Sequence, residues 1–167
     1  MILGMTAFTF FHVALSLVGI LSGFVVVSGL VTGKRLNGWT ALFFTTTVAT
    51  SVTGFMFPFD KFLPSHGVGI ASLIVLAVAI FARYGRGLAG AWRRTYVVSA
   101  VISLYLNVFV LIGQLFMKVP ALKALAPTQS EPPFLGTQAF IMVIFVVLGF
   151  LAGKCFPAKL SMQPESA

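Results

Sequence analysis

AFTFFHVALSLVGILSGFVVVSGLV, residues 7 to 31, contains no Lys, Arg, Asp or Glu and is followed at once by Thr32-Gly33-Lys34-Arg35. At a helical rise of about 1.5 Å per residue, such a run crosses the ~30 Å hydrocarbon core of a bilayer. It outruns the apolar core of a secretory signal and lacks a basic segment before it, so it predicts a retained first helix. Four further uncharged stretches follow: Trp39 to Phe57, Phe62 to Ala82, Thr95 to Met117 and Phe134 to Gly153. Together they predict an all-α membrane protein with five transmembrane helices in one bundle. The bundle takes up residues 1–157 and leaves 158–167 as a short cytoplasmic tail.

The charges between these stretches are sorted. With the N-terminus outside, Lys34, Arg35, Arg83, Arg86, Arg93, Arg94, Lys154 and Lys159 fall on one side, and Lys61, Lys118 and Lys123 on the other. Eight against three follows the positive-inside rule and predicts an N-out, C-in orientation. The net charge of +8 then records insertion and attraction to anionic headgroups, and nucleic acid is not an expected partner. Hydrophobic residues make up 59% of the chain and charged residues 8%, against about 25% charged in soluble domains. A soluble fold is therefore disfavoured. Cys155 is the only cysteine, which rules out an intrachain disulfide.

The second stretch is the least apolar, because Thr40, Thr45, Thr46, Thr47, Thr50, Ser51, Thr53 and Gly54 fall within it. Threonine hydroxyls can bond carbonyls one turn earlier, so such a helix costs little in lipid. Omitting it would put Lys34 and Arg35 opposite the later arginines and destroy the charge sorting.

Gly19 and Gly23 have the small-xxx-small spacing that lets another helix approach closely, and Ser16 and His12 continue the line at four-residue steps. In the third stretch Gly67, Gly69, Ala71, Ser72, Ala77 and Ala79 predict a tightly packed interior helix. In the fourth, Ser99, Ser103, Asn107 and Gln114 lie within about 80° of arc on a helical wheel. This polar stripe must face protein or water, as interhelical hydrogen bonding or as part of a ligand or ion path. Trp39, Tyr84, Trp92 and Tyr96 mark an interfacial belt at the inner boundary. The Pro-rich outer loops predict a semi-rigid cap.

His12, His66, Gln114 and Gln138 fall at one depth near the outer end, together with the loop acid Asp60 and ringed by phenylalanines. Two imidazoles from different helices have the chemistry to ligate a haem b iron, with phenylalanines walling a porphyrin or quinone pocket. A small-metal variant would add Met5, Met117 or Asp60. The competing expectation is structural: a histidine at a helix start, after Pro64-Ser65, caps it, and one inside a helix bonds a neighbouring hydroxyl or carbonyl. HExxH, GxSxG, GxxxxGK[ST] and CxxC arrangements are absent from the sequence, and no acid lies within the five stretches. The first expectation is accordingly a non-enzymatic packing, assembly or small-ligand-binding protein, with the bilayer and a homo-oligomer or membrane complex as partners. A haem- or quinone-binding redox protein is the second, and a small transporter the third.

The runs WTALFFTTTVATSVTGFMFPFDKFLPSH, Trp39 to His66, and VPALKALAPTQSEPPF, Val119 to Phe134, resemble segments of a family of small bacterial integral membrane proteins with no assigned activity. The resemblance implies a bacterial inner-membrane location, with the outside being periplasm. It implies no functional residue.

Overall fold

The computed structural model describes residues 6–57 and 64–156, and among these the regular structure is entirely helical. The elements are α1 (Ala7–Val31), α2 (Asn37–Gly54), α3 (Pro64–Ile80) with a π-helical turn at Phe81–Gly85, α4 (Trp92–Lys118), the short α5 (Pro120–Leu125) and α6 (Pro132–Cys155). Ala7–Val31, His66–Gly85, Trp92–Lys118 and Pro132–Cys155 are long and apolar enough to cross a membrane. Their starts follow local chemistry. Thr6 caps α1 by accepting from the Thr9 N–H at 3.2 Å, and α6 opens on Pro132, whose missing N–H costs nothing in a first turn.

Side-chain pairings set the helix directions. From one end of α1 to the other, Gly29 meets Leu36, Gly23 meets Phe43, Gly19 meets Thr46 and Thr47, and His12 meets Thr53. The partner numbers rise as those of α1 fall, so α1 and α2 form an antiparallel hairpin. The pairs Phe55–His66 and Asn37–Arg83 make α2 and α3 antiparallel. Phe116–Phe134, Phe109–Gln138 and Tyr105–Phe145 do the same for α4 and α6. α4 lies at the centre, packed against α1, α3 and α6. One end of the bundle thus carries His12, His66 and Lys118, and the other carries Arg35, Arg83 and Arg93.

Lipid tails are as apolar as leucine, so helices in a bilayer associate through close packing and not through exclusion of water. Among the described glycines, Gly23 stands at the closest approach. A Cβ built there falls 2.6 Å from Leu104 Cδ1 and 2.9 Å from Phe43 Cε2. Leu104 and Phe43 are themselves fully buried. At the arginine end, Arg83 donates to the Tyr96 hydroxyl at 3.0 Å and to Asn37 Oδ1 at 2.5 Å, tying three helices together. Arg93 donates to the Phe156 carbonyl, and the Arg35 guanidinium sits over the Phe156 ring at 5.7 Å.

Two expectations about packing need correction. α3 is not an interior helix: His66, Ser72, Leu76 and Ala79 are buried, whereas Ile70, Ile74 and Val78 are exposed on its opposite face. Of its small residues, Ser72 and Ala79 lie on the packed face, whereas Ala71 and Ala77 are exposed. Tyr96 does not belong to an interfacial belt with the exposed Trp39 and Tyr84. It is buried between Phe44 and Phe156, and a buried phenol needs a partner, which Arg83 supplies.

Of the Pro-rich outer loops, the segment between α4 and α6 is described, and it is held by its own side chains. Gln129, at a positive φ of 60°, donates to the Gly113 carbonyl at 2.7 Å and docks the loop on α4. The Glu131 carboxylate accepts from Thr128 N–H at 3.1 Å, Thr128 Oγ1 at 2.9 Å and Ser130 N–H at 3.0 Å. Desolvation raises the pKa of this carboxyl, but these hydrogen bonds outweigh it and hold the value below that of an ordinary glutamate. A depressed folded pKa stabilises the loop above the unfolded value and loses that stabilisation as pH falls through the folded one. Protection of the Thr128 and Ser130 amides, taken relative to their intrinsic exchange rates, is therefore expected to fall as pH drops below about 4, the ordinary glutamate range. In Glu131→Gln the acid dependence should vanish; acid-sensitive protection that survives the substitution contradicts this assignment.

Candidate functional site

The two halves of the bundle are filled differently. Toward the arginine end, Phe43, Phe44, Leu76, Tyr96 and Leu104 close the space between α1, α2, α3 and α4. Toward the histidine end the same helices present Ser16, Ser51, Gly54, Gly69 and Ser72, which are too small to meet across the gap. The result is a cavity of about 520 Å³. That volume lies within the roughly 300–1,000 Å³ of small-molecule sites. It extends from Thr9 to Ile20 along α1 and from Leu106 to Lys118 along α4, which is about 16 to 18 Å of helix axis.

Three of the four residues expected at the outer polar layer line this cavity: His12, His66 and Gln114. Gln138 does not. It is buried on α6, where Nε2 donates to the Phe109 carbonyl at 3.1 Å and Oε1 has no hydrogen-bond partner among the described residues. Its depth along the helix is that of the cavity, but its direction is toward the far side of α4, so its bond joins α6 to α4. Asp60 and Met5 lie outside the described residues.

The residues expected to pack helices divide in the same way. Gly19 and Gly23 lie at close approaches, with a built Cβ on Gly19 at 3.3 Å from the hydroxyls of Thr46 and Thr47. Ser16 donates to the His12 carbonyl at 2.8 Å and lines the cavity. Within the α4 stripe and among the described residues, only Asn107 bonds another helix, through Nδ2 to Thr47 Oγ1 at 3.1 Å, and it too lines the cavity. Ser99 and Ser103 return their hydroxyls to the Thr95 and Ser99 carbonyls of their own helix. A serine deep in an apolar bundle satisfies its proton most cheaply one turn back, so these two supply smallness and not interhelical bonds.

Each histidine is held by an aromatic ring. His66 stacks on Phe55, with centroids 5.7 Å apart and planes 22° apart. His12 stands edge-on to Phe57 at 5.1 Å, and its Nδ1 lies 2.8 Å from Thr53 Oγ1. Phe55 and Phe57 follow the end of α2, so the turn leaving that helix positions both imidazoles. Thr53, which bonds His12, and Thr50, Ser51, Ser72 and Lys118, which line the cavity, were noted in the sequence for helix composition or charge and not as site residues. Thr50 Oγ1 is buried with no partner among the described residues. One signal for this group was present in the sequence: small polar residues clustered on α2 and α3 at the level of the histidines.

Electrostatically the lining is one-sided. Lys118, exposed at the cavity's end, is its only formal charge among the described residues, and no described lining residue is acidic. Among the described residues, no group of three or more His, Cys, Asp or Glu comes together to hold a metal ion. The arrangement suits an uncharged or weakly polar guest: apolar walls, aromatic rings and a few fixed hydrogen-bonding atoms. No family model, no curated protein and no solved structure matches the chain.

Proposed function

We propose that the chain is a five-helix protein of the bacterial inner membrane, N-terminus periplasmic and C-terminus cytoplasmic, that binds a small lipid-soluble molecule between α1, α2, α3 and α4. The observation that carries this reading is the cavity itself. Two imidazoles and several small polar residues converge on one space inside an apolar bundle, where polar groups are expensive unless they serve a purpose. The expected activity is binding and not catalysis, since no nucleophile, base and orienting group stand in hydrogen-bonded series along the described lining.

Several features support the topology. α2 spans 18 residues, about 27 Å of helix, and Thr40, Thr46 and Thr53 return their hydroxyls to carbonyls four residues earlier. Such a helix tolerates lipid although its threonines dilute its apolar character. Arg35, Arg83 and Arg93 gather at one end of the bundle, as a cytoplasmic face requires.

Labelling tests the orientation. With the exposed Cys155 replaced by serine, Pro127→Cys should react with a membrane-impermeant maleimide applied from the periplasm, and Arg86→Cys should react only after lysis. The reverse pattern refutes the orientation. Ligand binding is tested by extracting the detergent-purified protein with organic solvent and analysing the extract by mass spectrometry. A compound retained in stoichiometric amount is expected; an extract containing only detergent and bulk phospholipid counts against the reading.

A further inference from the structure

The hydrogen bonds around His12 bear on which of its nitrogens carries the proton, and that in turn restricts what the cavity recognises. Thr53 Oγ1 lies 2.7 Å from the Ala49 carbonyl and 3.2 Å from the Thr50 carbonyl. A carbonyl only accepts, so the single hydroxyl proton of Thr53 is committed to its own helix. With the Thr53 proton placed there, the remaining contact, 2.8 Å to His12 Nδ1, is satisfied when His12 donates. Neutral His12 therefore holds its proton on Nδ1, and Nε2 is a bare lone pair with no partner among the described residues, on a side chain that lines the cavity.

The neighbouring group has the same polarity. Ser16 spends its proton on the His12 carbonyl, so its oxygen too offers only lone pairs. Midway along the α1 wall His12 and Ser16 thus both present acceptors, while Thr9 at its end shares a 2.8 Å contact with the Thr6 hydroxyl. Around it stand flat rings: Phe57 edge-on to His12, and Phe55 stacked with His66. An aromatic guest packs favourably against such rings in offset or edge-on geometry.

Resting on the binding function proposed above, we propose that the cavity takes a lipid-soluble aromatic ring bearing a phenol-type hydroxyl, whose O–H donates to His12 Nε2. A phenolic hydroxyl is a stronger donor than an aliphatic alcohol and remains uncharged near neutral pH, which suits a lining without a carboxylate. A quinone carbonyl is a poor match for this position, because it brings a second acceptor to a nitrogen that has no proton to give. Two sources share this chemistry: a tailed hydroquinone dissolved in the membrane, or a small free phenol.

The test uses the purified full-length protein in detergent under argon, with three tailed probes, a decyl-tailed hydroquinone, its dimethyl ether and the corresponding quinone, and with tail-less hydroquinone and its dimethyl ether beside them. Calorimetry should give the hydroquinone an affinity about tenfold above both others, the order expected when one buried hydrogen bond is lost. His12→Phe, which keeps a ring and removes the acceptor, should bring the three to equal affinity. Thr53→Val frees the imidazole to change tautomer and should shrink the preference, with Thr53→Ser restoring it. The same tenfold preference for tail-less hydroquinone over its dimethyl ether, with much weaker binding than the decyl form, identifies the tailed source; equal binding with and without the tail identifies the free phenol. Equal affinity for hydroquinone and ether in the unsubstituted protein overturns the donor assignment while leaving the cavity as a binding site. Failure of all three to bind removes the aromatic ligand class. A Soret band from the protein expressed with haem supply overturns the proposal in favour of iron at Nε2.

Discussion

Gly23→Leu is expected to yield almost no folded protein. The position lies where α1 meets α2 and α4, and a single added carbon already falls 2.6 Å from Leu104 and 2.9 Å from Phe43. Neither neighbour can withdraw, because both are fully buried and braced by the rest of the core. Overpacking of this kind costs about 1–3 kcal/mol for modest additions, and an entire isobutyl group at a 2.6 Å contact belongs at or beyond the top of that range. Separation of α1 also removes the wall that carries His12 and Ser16. Fluorescence-detected size exclusion and thermal unfolding in detergent read the effect, with Gly23→Ala intermediate. Gly136→Ala is the matched control: nothing lies within 4 Å of its built Cβ, and exchanging a helical glycine for alanine is neutral or stabilising by about 0.5–1 kcal/mol. Equal stability of Gly23→Leu and Gly136→Ala would mean that α1 does not pack as described.

Ser72→Phe should leave the fold standing and empty the site. Ser72 is buried on the packed face of α3 and lines the cavity, so a benzyl group there can enter existing open volume instead of driving helices apart. The expected result is at least a tenfold drop in retained ligand per mole of protein, with a melting temperature within a few degrees of the parent, since a shift of that size reflects about 1 kcal/mol. Ile74→Phe, on the exposed face of the same helix, should change neither quantity. Full ligand retention in Ser72→Phe would place the ligand elsewhere on the molecule. Because Gly23→Leu removes the fold and Ser72→Phe fills one space within it, the two substitutions separate loss of structure from loss of binding.

Much of the helical layout was legible in the sequence because a bilayer imposes a one-dimensional rule. Backbone groups in hydrocarbon must bond within their own segment, so a long uncharged run can only be a helix. The first such run, Ala7 to Val31, coincides with α1. The close approach at Gly19 and Gly23 was legible for a related reason, since a missing side chain is visible in the sequence even when the neighbour that fills the gap is not. Depth was legible too. His12, His66 and Gln114 share a level, and the structure brings all three to one cavity.

Direction was harder to read. Gln138 lies at the same depth but bonds to α4 from the far side, because a level says nothing about which way a side chain points around its helix. Ser99 and Ser103 form a stripe with Asn107, yet their protons go to their own backbone. Whether a hydroxyl bonds along its helix or across to another depends on what stands opposite. The same limit hid Thr53, one threonine among many on α2, whose hydroxyl bonds the Ala49 carbonyl and lies 2.8 Å from Nδ1 of His12.

By itself the sequence determined that this chain is a set of apolar helices, four of them long and apolar enough to cross a membrane, since a long uncharged run follows from the energy of placing single residues in lipid. Only the tertiary structure decided which residues share a space: that small side chains on four helices leave a cavity beside His12 and His66, that α3 leaves one face exposed, and that His12 Nδ1 meets Thr53 Oγ1. These depend on the rotation of each helix about its own axis. That rotation is set by packing among residues far apart in the chain, such as Gly23 with Leu104 and His12 with Thr53.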